Sequence, residues 1–241
     1  MKKSWMIFIV LAVIIAMAYE VLTIPVLLMA ALVVGVIYFF MRSRQAGTKE
    51  LFTYVVVDTE TTGLDPAKHE VVSVSAIKFA TYINKEEDTA KIEQYEETFN
   101  RYYYAKRYND DAIRINGLDS NKINSKRWNA NYPQYFKRDF KAFLDFVDGC
   151  DFIVGHNIKF DLSFLPRLKC AAYCTMGERK ISLGSRAHKY GLEFSSWHQS
   201  DEDARITAAI FFKQLQNGEP RALSMFGIRP SDALNFKMVR N

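Results

Sequence analysis

Hydrophobic and polar positions divide the chain at about residue 45. Residues 5–41 are almost continuously apolar, broken only by Glu20, Thr23 and Pro25. One helix of that length would reach about 55 Å, against a hydrocarbon core of about 30 Å. Splitting the run near Glu20–Pro25 gives two short helices, Trp5–Tyr19 and Pro25–Met41, with Pro25 at the favoured first helical position. Residues 1–45 thus read as an N-terminal transmembrane or re-entrant hairpin, with Trp5, Tyr38 and Phe39-Phe40 near the interfaces. Lys2, Lys3, Arg42 and Arg44 flank its two ends, which places both ends in the cytoplasm. A cleavable leader is the competing reading, because Lys2-Lys3, an apolar run and Ala16-Met17-Ala18 fit its three parts. Cleavage would still leave the second apolar run as a membrane span.

After a polar linker at 46–50, the pattern changes. Phe52–Asp58, Glu70–Ala80 and Lys91–Asn100 read as strands, with a polar hairpin turn over Asn84–Asp88 between the last two. Short connections make this part of the sheet antiparallel or mixed. From Asp111 to Cys150 the pattern is helical, with a loop at 125–133. Phe140, Phe143, Leu144 and Val147 form one apolar stripe there. Asp151–Val154 is a short buried strand. Leu162–Tyr173 is expected to be helical, with Pro166 in its first turn. Ser182–Tyr190 and Asp201–Gln216 are the last helices. Strands, helices, then strand and helix again predict an α/β sandwich over 51–218. The tail 219–241 has no assignable pattern.

Charge and cysteines narrow the picture only slightly. The net charge is +5, of which +3 belongs to residues 1–45 and +2 to 46–241. A domain this mildly basic does not grip duplex through a strong field, although holding a few terminal nucleotides needs no more. Three cysteines argue against a disulfide framework. Cys170 and Cys174 have helical i, i+4 spacing but lack partners for a zinc pattern, so they read as small hydrophobes.

The candidate chemistry begins in Val55-Val56-Val57-Asp58-Thr59-Glu60-Thr61-Thr62-Gly63-Leu64. An apolar β-branched run ends in two acids at i, i+2, which leave the same face of the strand. Two such carboxylates repel each other and resist desolvation, and a hard divalent cation such as Mg²⁺ or Mn²⁺ is the simplest stabiliser. A strand running into a solvated acidic turn is the alternative. Two more acidic motifs follow, Gly155-His156-Asn157-Ile158-Lys159-Phe160-Asp161 and His198-Gln199-Ser200-Asp201-Glu202-Asp203-Ala204. Together the three resemble the exonuclease motifs of the DEDD 3′→5′ exonucleases. The resemblance is to the branch with a histidine in the third motif, which includes the proofreading subunit of the bacterial replicative polymerase, RNase T and oligoribonuclease. It covers about 51–216. Gln199 stands where the sister branch has tyrosine.

The resemblance implies a ribonuclease H-like exonuclease fold, a mixed sheet flanked by helices. It also implies a two-metal hydrolysis that releases 5′-mononucleotides from nucleic acid 3′ ends. Asp58 would bridge two Mg²⁺ or Mn²⁺ ions, Glu60 and Asp203 would complete the ion that activates water, and Asp161 would act at the second ion, partly through water. His198 would be the general base. His156 would shape its loop. Thr61, Thr62, Gly63 and Leu64 would lie against the terminal nucleotide, with Asn157 and Phe160 near the same cleft. Relatives often carry glutamate where this chain has Ser73, a departure that touches substrate placement more than catalysis.

The run Arg101–Tyr108 interleaves bases with aromatics and either stacks nucleobases or packs on the core. DNA is favoured over RNA as the substrate, although nothing in the sequence reports on the 2′-hydroxyl. The whole reads as an exonuclease held to the bilayer of a bacterial inner membrane, facing the cytoplasm. A polymerase or other protein is a further possible partner. An idle module that binds nucleic acid ends, or a metal phosphoesterase acting on nucleotides, are the alternatives.

Overall fold

The computed structural model describes residues 50–84, 89–177, 180–193, 200–228 and 237–239, together with Ile9, Leu11, Val13, Ile14, Tyr19 and Leu32. The chain divides into two compact units, Met1–Thr48 and Lys49–Asn241. In the first, the six described residues are helical. Five of them, Ile9, Leu11, Val13, Ile14 and Leu32, are aliphatic and 52–70% exposed. Most of the predicted hairpin lies outside the described residues, and among the described ones no helix is long and apolar enough to cross a membrane.

The second unit is built on a six-stranded sheet of order β5-β4-β1-β2-β3-β6. Strands β1 (Glu50–Thr61), β2 (Val71–Asn84) and β3 (Thr89–Tyr102) run antiparallel to their neighbours in sequence. β4 (Phe152–Gly155) lies parallel to β1, and β5 (Ala171–Cys174) lies parallel to β4. The predicted mixed sheet is present. The tail adds two unpredicted pieces, a short helix Pro220–Ser224 and β6 (Lys237–Val239), which pairs in parallel with the start of β3.

β1 explains its own composition. Alternate residues of a strand face opposite sides of its sheet. Tyr54 and Val56 pack with Phe79, Phe152, Phe211 and Phe226 on one face, and Val55 and Val57 with Phe99, Phe143 and Ile158 on the other. A strand covered on both sides must be apolar at every position, hence the unbroken valines. The helix Ser200–Gln216 covers the first face through Ala204, Ala208, Phe211 and Leu215. The second face is covered by a 3-10 turn, Phe136–Arg138, and the helices Phe140–Val147 and Ile158–Phe164. In chain order the helices are α1 (Asp110–Asn116), α2 (Ser120–Lys126), α3 (Phe140–Val147), α4 (Ile158–Phe164), α5 (Leu183–Lys189), α6 (Ser200–Gln216) and α7 (Pro220–Ser224).

Four expectations are corrected and one open alternative, in Arg101–Tyr108, is decided. The predicted helix Leu162–Tyr173 does not exist: α4 ends at Phe164 because Leu165 precedes Pro166 and is extended, at φ −80° and ψ 156°. The chain then enters β5, so Cys170 directly precedes a strand and Cys174 ends it, with no helical turn between them; both are free and half-buried. Leu144 of the expected stripe is 38% exposed, whereas Phe143 and Val147 are buried. In Arg101–Tyr108 the first half belongs to the core: Tyr102 and Tyr103 are buried, and Arg101 reaches the buried Asp139 at 2.6 Å. β1 is also longer than expected. It stays paired with β2 through Thr61, so Asp58 and Glu60 lie opposite Ser75 and Ser73 within the ladder.

Candidate active site

Asp58 and Glu60 share strand parity with Tyr54 and Val56, and so face α6. β4 pairs with β1 only along Tyr54–Val56. Beyond Val56 that flank of β1 has no β4 partner, which opens a cleft at the carboxyl end of the parallel pair, where ligands of α/β sheets bind. Asp203 sits in the first turn of α6, beside the core residue Ala204. One carboxylate oxygen from each of Asp58, Glu60 and Asp203 lies within 4.8 Å of the others.

Asp161 enters from the opposite side of β1. It lies in the first turn of α4 and is buried, and its Oδ1 accepts from the Thr59 backbone N–H at 3.0 Å and the Thr59 hydroxyl at 2.8 Å. The residue between the two strand acids therefore points away from them and grips the second motif. Sequence reasoning missed Thr59, although strand periodicity alone signals its orientation.

Crowding leaves its mark on the protonation of these acids. Burial, then the charges of Asp161, Glu60 and Asp203, hold the Asp58 carboxyl well above the usual carboxylate range. Burial, then Asp203, pushes Glu60 up to about 7, opposed by a hydrogen bond from Asn116. Burial raises Asp161 to about 7 despite its bonds to Thr59. A compact set of hard oxygen donors that resists ionisation when metal-free fits a divalent cation, which supplies the missing positive charge.

The acids line a cavity of about 850 Å³. Leu64, Asn157 and Phe160 line it as expected, Leu64 projecting at 82% exposure. Thr61 and Thr62 are buried and serve the loop instead. The Thr61 hydroxyl donates to the Gly63 carbonyl at 2.7 Å, and the Thr62 hydroxyl accepts from the Glu70 N–H at 3.1 Å. Gly63 is required by packing, because a Cβ there would meet the His69 ring at 2.5 Å. Asn157 takes the left-handed conformation at the start of α4, with φ 63°.

His156 is held on both ring nitrogens. Nε2 lies 2.9 Å from the Ile181 carbonyl and must donate to it, so Nδ1 accepts from the Thr175 hydroxyl at 2.9 Å. Burial lowers its pKa to about 4, and the ring stays neutral as a strut between loops. His198 and Gln199 lie outside the described residues. The opposite wall of the cavity, Ser182, Gly184, Ser185 and His188 of the α5 segment, was not foreseen as part of the site. Ser73 does not face the cavity: its hydroxyl meets that of Ser200 at 2.5 Å, and Ser75 meets Ser200 at 2.9 Å. The two serines thereby anchor the first residue of the helix that carries Asp203.

Comparison with known proteins agrees with this geometry. An exonuclease family model of the RNase T type matches residues 55–167. DNA polymerase III subunit epsilon of Aquifex aeolicus is 25% identical over 181 residues, covering 68% of this chain and 81% of that protein. The PolC-type DNA polymerase III of Thermotoga petrophila is 27% identical over 177 residues, covering 67% of this chain but only 12% of the polymerase. Among solved structures, Exonuclease X in complex with 5′ overhanging duplex DNA superposes at a TM-score of 0.50 with 18% identity, covering 75% of this chain and 96% of that one. A zinc-bound complex of E. coli Exonuclease I with single-stranded DNA superposes at 0.52 with 16% identity, covering 72% and 42%. Sheet order, flanking helices and acid cluster define a ribonuclease H-like exonuclease domain. The family model, the polymerase III relatives and the exonuclease folds together support a 3′→5′ exonuclease of the DEDD family, whose members use divalent metal ions.

Proposed function

We propose that this chain is a membrane-anchored, metal-dependent exonuclease that releases 5′-mononucleotides from the 3′ end of DNA. The observation that carries the proposal is the meeting of Asp58, Glu60 and Asp203 within 4.8 Å, from a strand and a helix about 140 residues apart in sequence. Asp58, Glu60 and Asp203 would hold Mg²⁺ or Mn²⁺, with Asp161 at a second ion. Bound there, the ions supply positive charge to the phosphate oxygens and lower the pKa of water. Leu64, Asn157 and Phe160 orient the terminal nucleotide against the acids. His198 takes the proton of the attacking water, whose oxygen bonds to phosphorus as the 3′ oxygen of the preceding nucleotide leaves.

DNA is preferred as the substrate because the similar proteins are DNA polymerase components and the similar structures hold DNA. The same relatives make a polymerase a candidate partner. Anchoring rests on the long apolar run and on the outward-facing aliphatic residues of the first unit. Cations at both ends of the run would leave the domain on the cytoplasmic side of a bacterial inner membrane.

The test is degradation of matched single-stranded DNA, single-stranded RNA, duplex and free nucleotides by the full chain in detergent, with Mg²⁺, Mn²⁺ or chelator. Metal-dependent shortening from the 3′ end is expected, fastest on DNA. Binding without hydrolysis would make the chain an idle end-binding module. Turnover of free nucleotides alone would make it a phosphoesterase.

A further inference from the structure

The second half of Arg101–Tyr108 leaves the sheet but not every contact with the interior: Ala105 is buried, and Tyr104 and Tyr108 pack beside it while Lys106 and Arg107 are exposed. From Tyr104 onward the chain departs the sheet and turns toward the Leu64–Glu70 loop, where the Lys106 N–H donates to the Glu70 carboxylate at 2.7 Å. Between this segment, the loop and the 3-10 turn Phe136–Arg138 lies a groove of about 630 Å³. A second basin of about 670 Å³ shares Pro66, His69, Lys106 and Lys137 with it. The charged lining of the two is Lys68, Lys106, Arg107, Lys137 and Arg138, against Glu70 as the one carboxylate. All five cations are exposed, and among the described residues only Lys68 is ion-paired, to Asp65 at 3.2 Å. For residues 46–241, whose net charge is only +2, this is a marked concentration of positive charge. The rings of Tyr104, Tyr135 and Phe140 line the same groove.

The groove and the catalytic cavity share a partition. On the loop, Leu64 faces the cavity while Pro66 and His69 face the groove. On α4, Phe160 and Asp161 face the cavity while Ser163 and Phe164 face the groove. The step from Phe160 to Phe164 is about one helical turn, roughly 6 Å along the axis. A strand whose end reaches the acids can therefore cross the loop directly onto the cations.

We propose that this groove binds the phosphate backbone of the single strand whose 3′ end occupies the acid-lined cavity, its aromatic rings taking up unpaired bases. Unpaired cations interleaved with aromatic rings are what sequence-tolerant single-strand binding requires. The proposal rests on the exonuclease reading and assigns that reading a second, length-dependent subsite.

The test compares the full-length wild type with a Lys106→Ala/Lys137→Ala/Arg138→Ala variant, in detergent, on a dinucleotide and on a single-stranded oligonucleotide of ~12 residues. KM for the longer substrate is expected to rise about tenfold, and its log–log salt slope to fall by about 2, as three phosphate contacts are lost. The dinucleotide should be unaffected. A Tyr135→Ala variant should weaken the longer substrate without changing the salt slope. Equal effects on both substrates, or none on either, would overturn the proposal. So would weaker binding to anionic vesicles with an unchanged oligonucleotide, since the groove would then belong to a lipid surface. Anisotropy of the labelled oligonucleotide in chelator separates the two readings. Salt-dependent binding lost in the triple variant, without hydrolysis by the wild type, would sink the exonuclease and keep the groove. Hydrolysis indifferent to length would do the reverse.

Discussion

Thr59 holds Asp161 twice across 102 positions of sequence, its N–H at 3.0 Å and its hydroxyl at 2.8 Å, both on the same carboxylate oxygen. The contact fixes the first turn of α4 against β1 and aims Asp161 at Asp58, whose protonation it perturbs more than any other charge does. Thr59→Val removes the hydroxyl donation and keeps the shape. A hydrogen bond to a charged group contributes about 1.5–3 kcal/mol, so kcat should fall about ten- to a hundredfold. Thr59→Ser should restore most of it. Equal turnover of the Val and Ser variants would remove Thr59 from the positioning role.

Removing an acid should separate folding from activity. Asp58→Asn or Asp203→Asn is expected to abolish metal-dependent release of mononucleotides and the rise in Tm caused by Mn²⁺. The metal-free Tm should not fall, because one repelling carboxylate is gone. Near wild-type turnover by either variant would refute the metal assignment.

Stability and metal affinity should move with pH in opposite senses. Glu60 and Asp161 are raised to about 7 in the fold, against about 4 in an unfolded chain. The metal-free fold thus keeps protons that the unfolded chain has released. Its extra stability is complete below about pH 4 and is lost as pH rises through about 7. Divalent ions compete with those protons, so their affinity should climb between about pH 6 and pH 8. Thermal unfolding with chelator or Mn²⁺ across this range checks both slopes. The metal-free slope should flatten in Glu60→Gln, and a wild-type profile already as flat as that variant's would defeat the account.

His198 as general base predicts a loss of about two to four orders of magnitude in His198→Ala, with metal affinity little changed. The wild-type rate should rise through a group titrating near neutrality, and the variant should lack that limb. His156→Ala should behave differently. It leaves the Thr175 hydroxyl and the Ile181 carbonyl without the ring, so stability should drop by about 1–3 kcal/mol while the pH limb remains. Identical pH profiles for wild type and His198→Ala would return the proton transfer to the metals alone.

For topology, protease should spare the domain in right-side-out vesicles and cut it once they are opened. Labelling of the exposed Lys141 or Arg205 from outside intact vesicles would reject the cytoplasmic assignment.

The clustered acids were legible in the sequence because their signals are local. The β-branched run names a strand buried on both faces, i, i+2 spacing puts Asp58 and Glu60 on one side, and the third motif opens a helix. Helical patterning marked α5 and α6 to within a residue or two. What lay beyond reach depends on neighbours distant in sequence. β5 is four residues long, with Tyr173 alone buried and no alternation, and exists because β4 offers it a parallel edge. Pro166 could sit in a first helical turn or end the helix before it, and only the approach to β4 decides between them. Tyr102 and Tyr104 look alike in sequence, yet one is buried by β2 and α2 while the other reaches the basic groove. The pairing of Thr59 with Asp161, the serines that anchor α6, and the α5 wall of the cavity follow from how the helices seat on the sheet. Sequence by itself determined which acids are candidates for the proposed chemistry, because charge and strand parity are local properties. Only the tertiary structure decided what holds them in place, because a hydrogen bond across a hundred residues leaves no periodic trace.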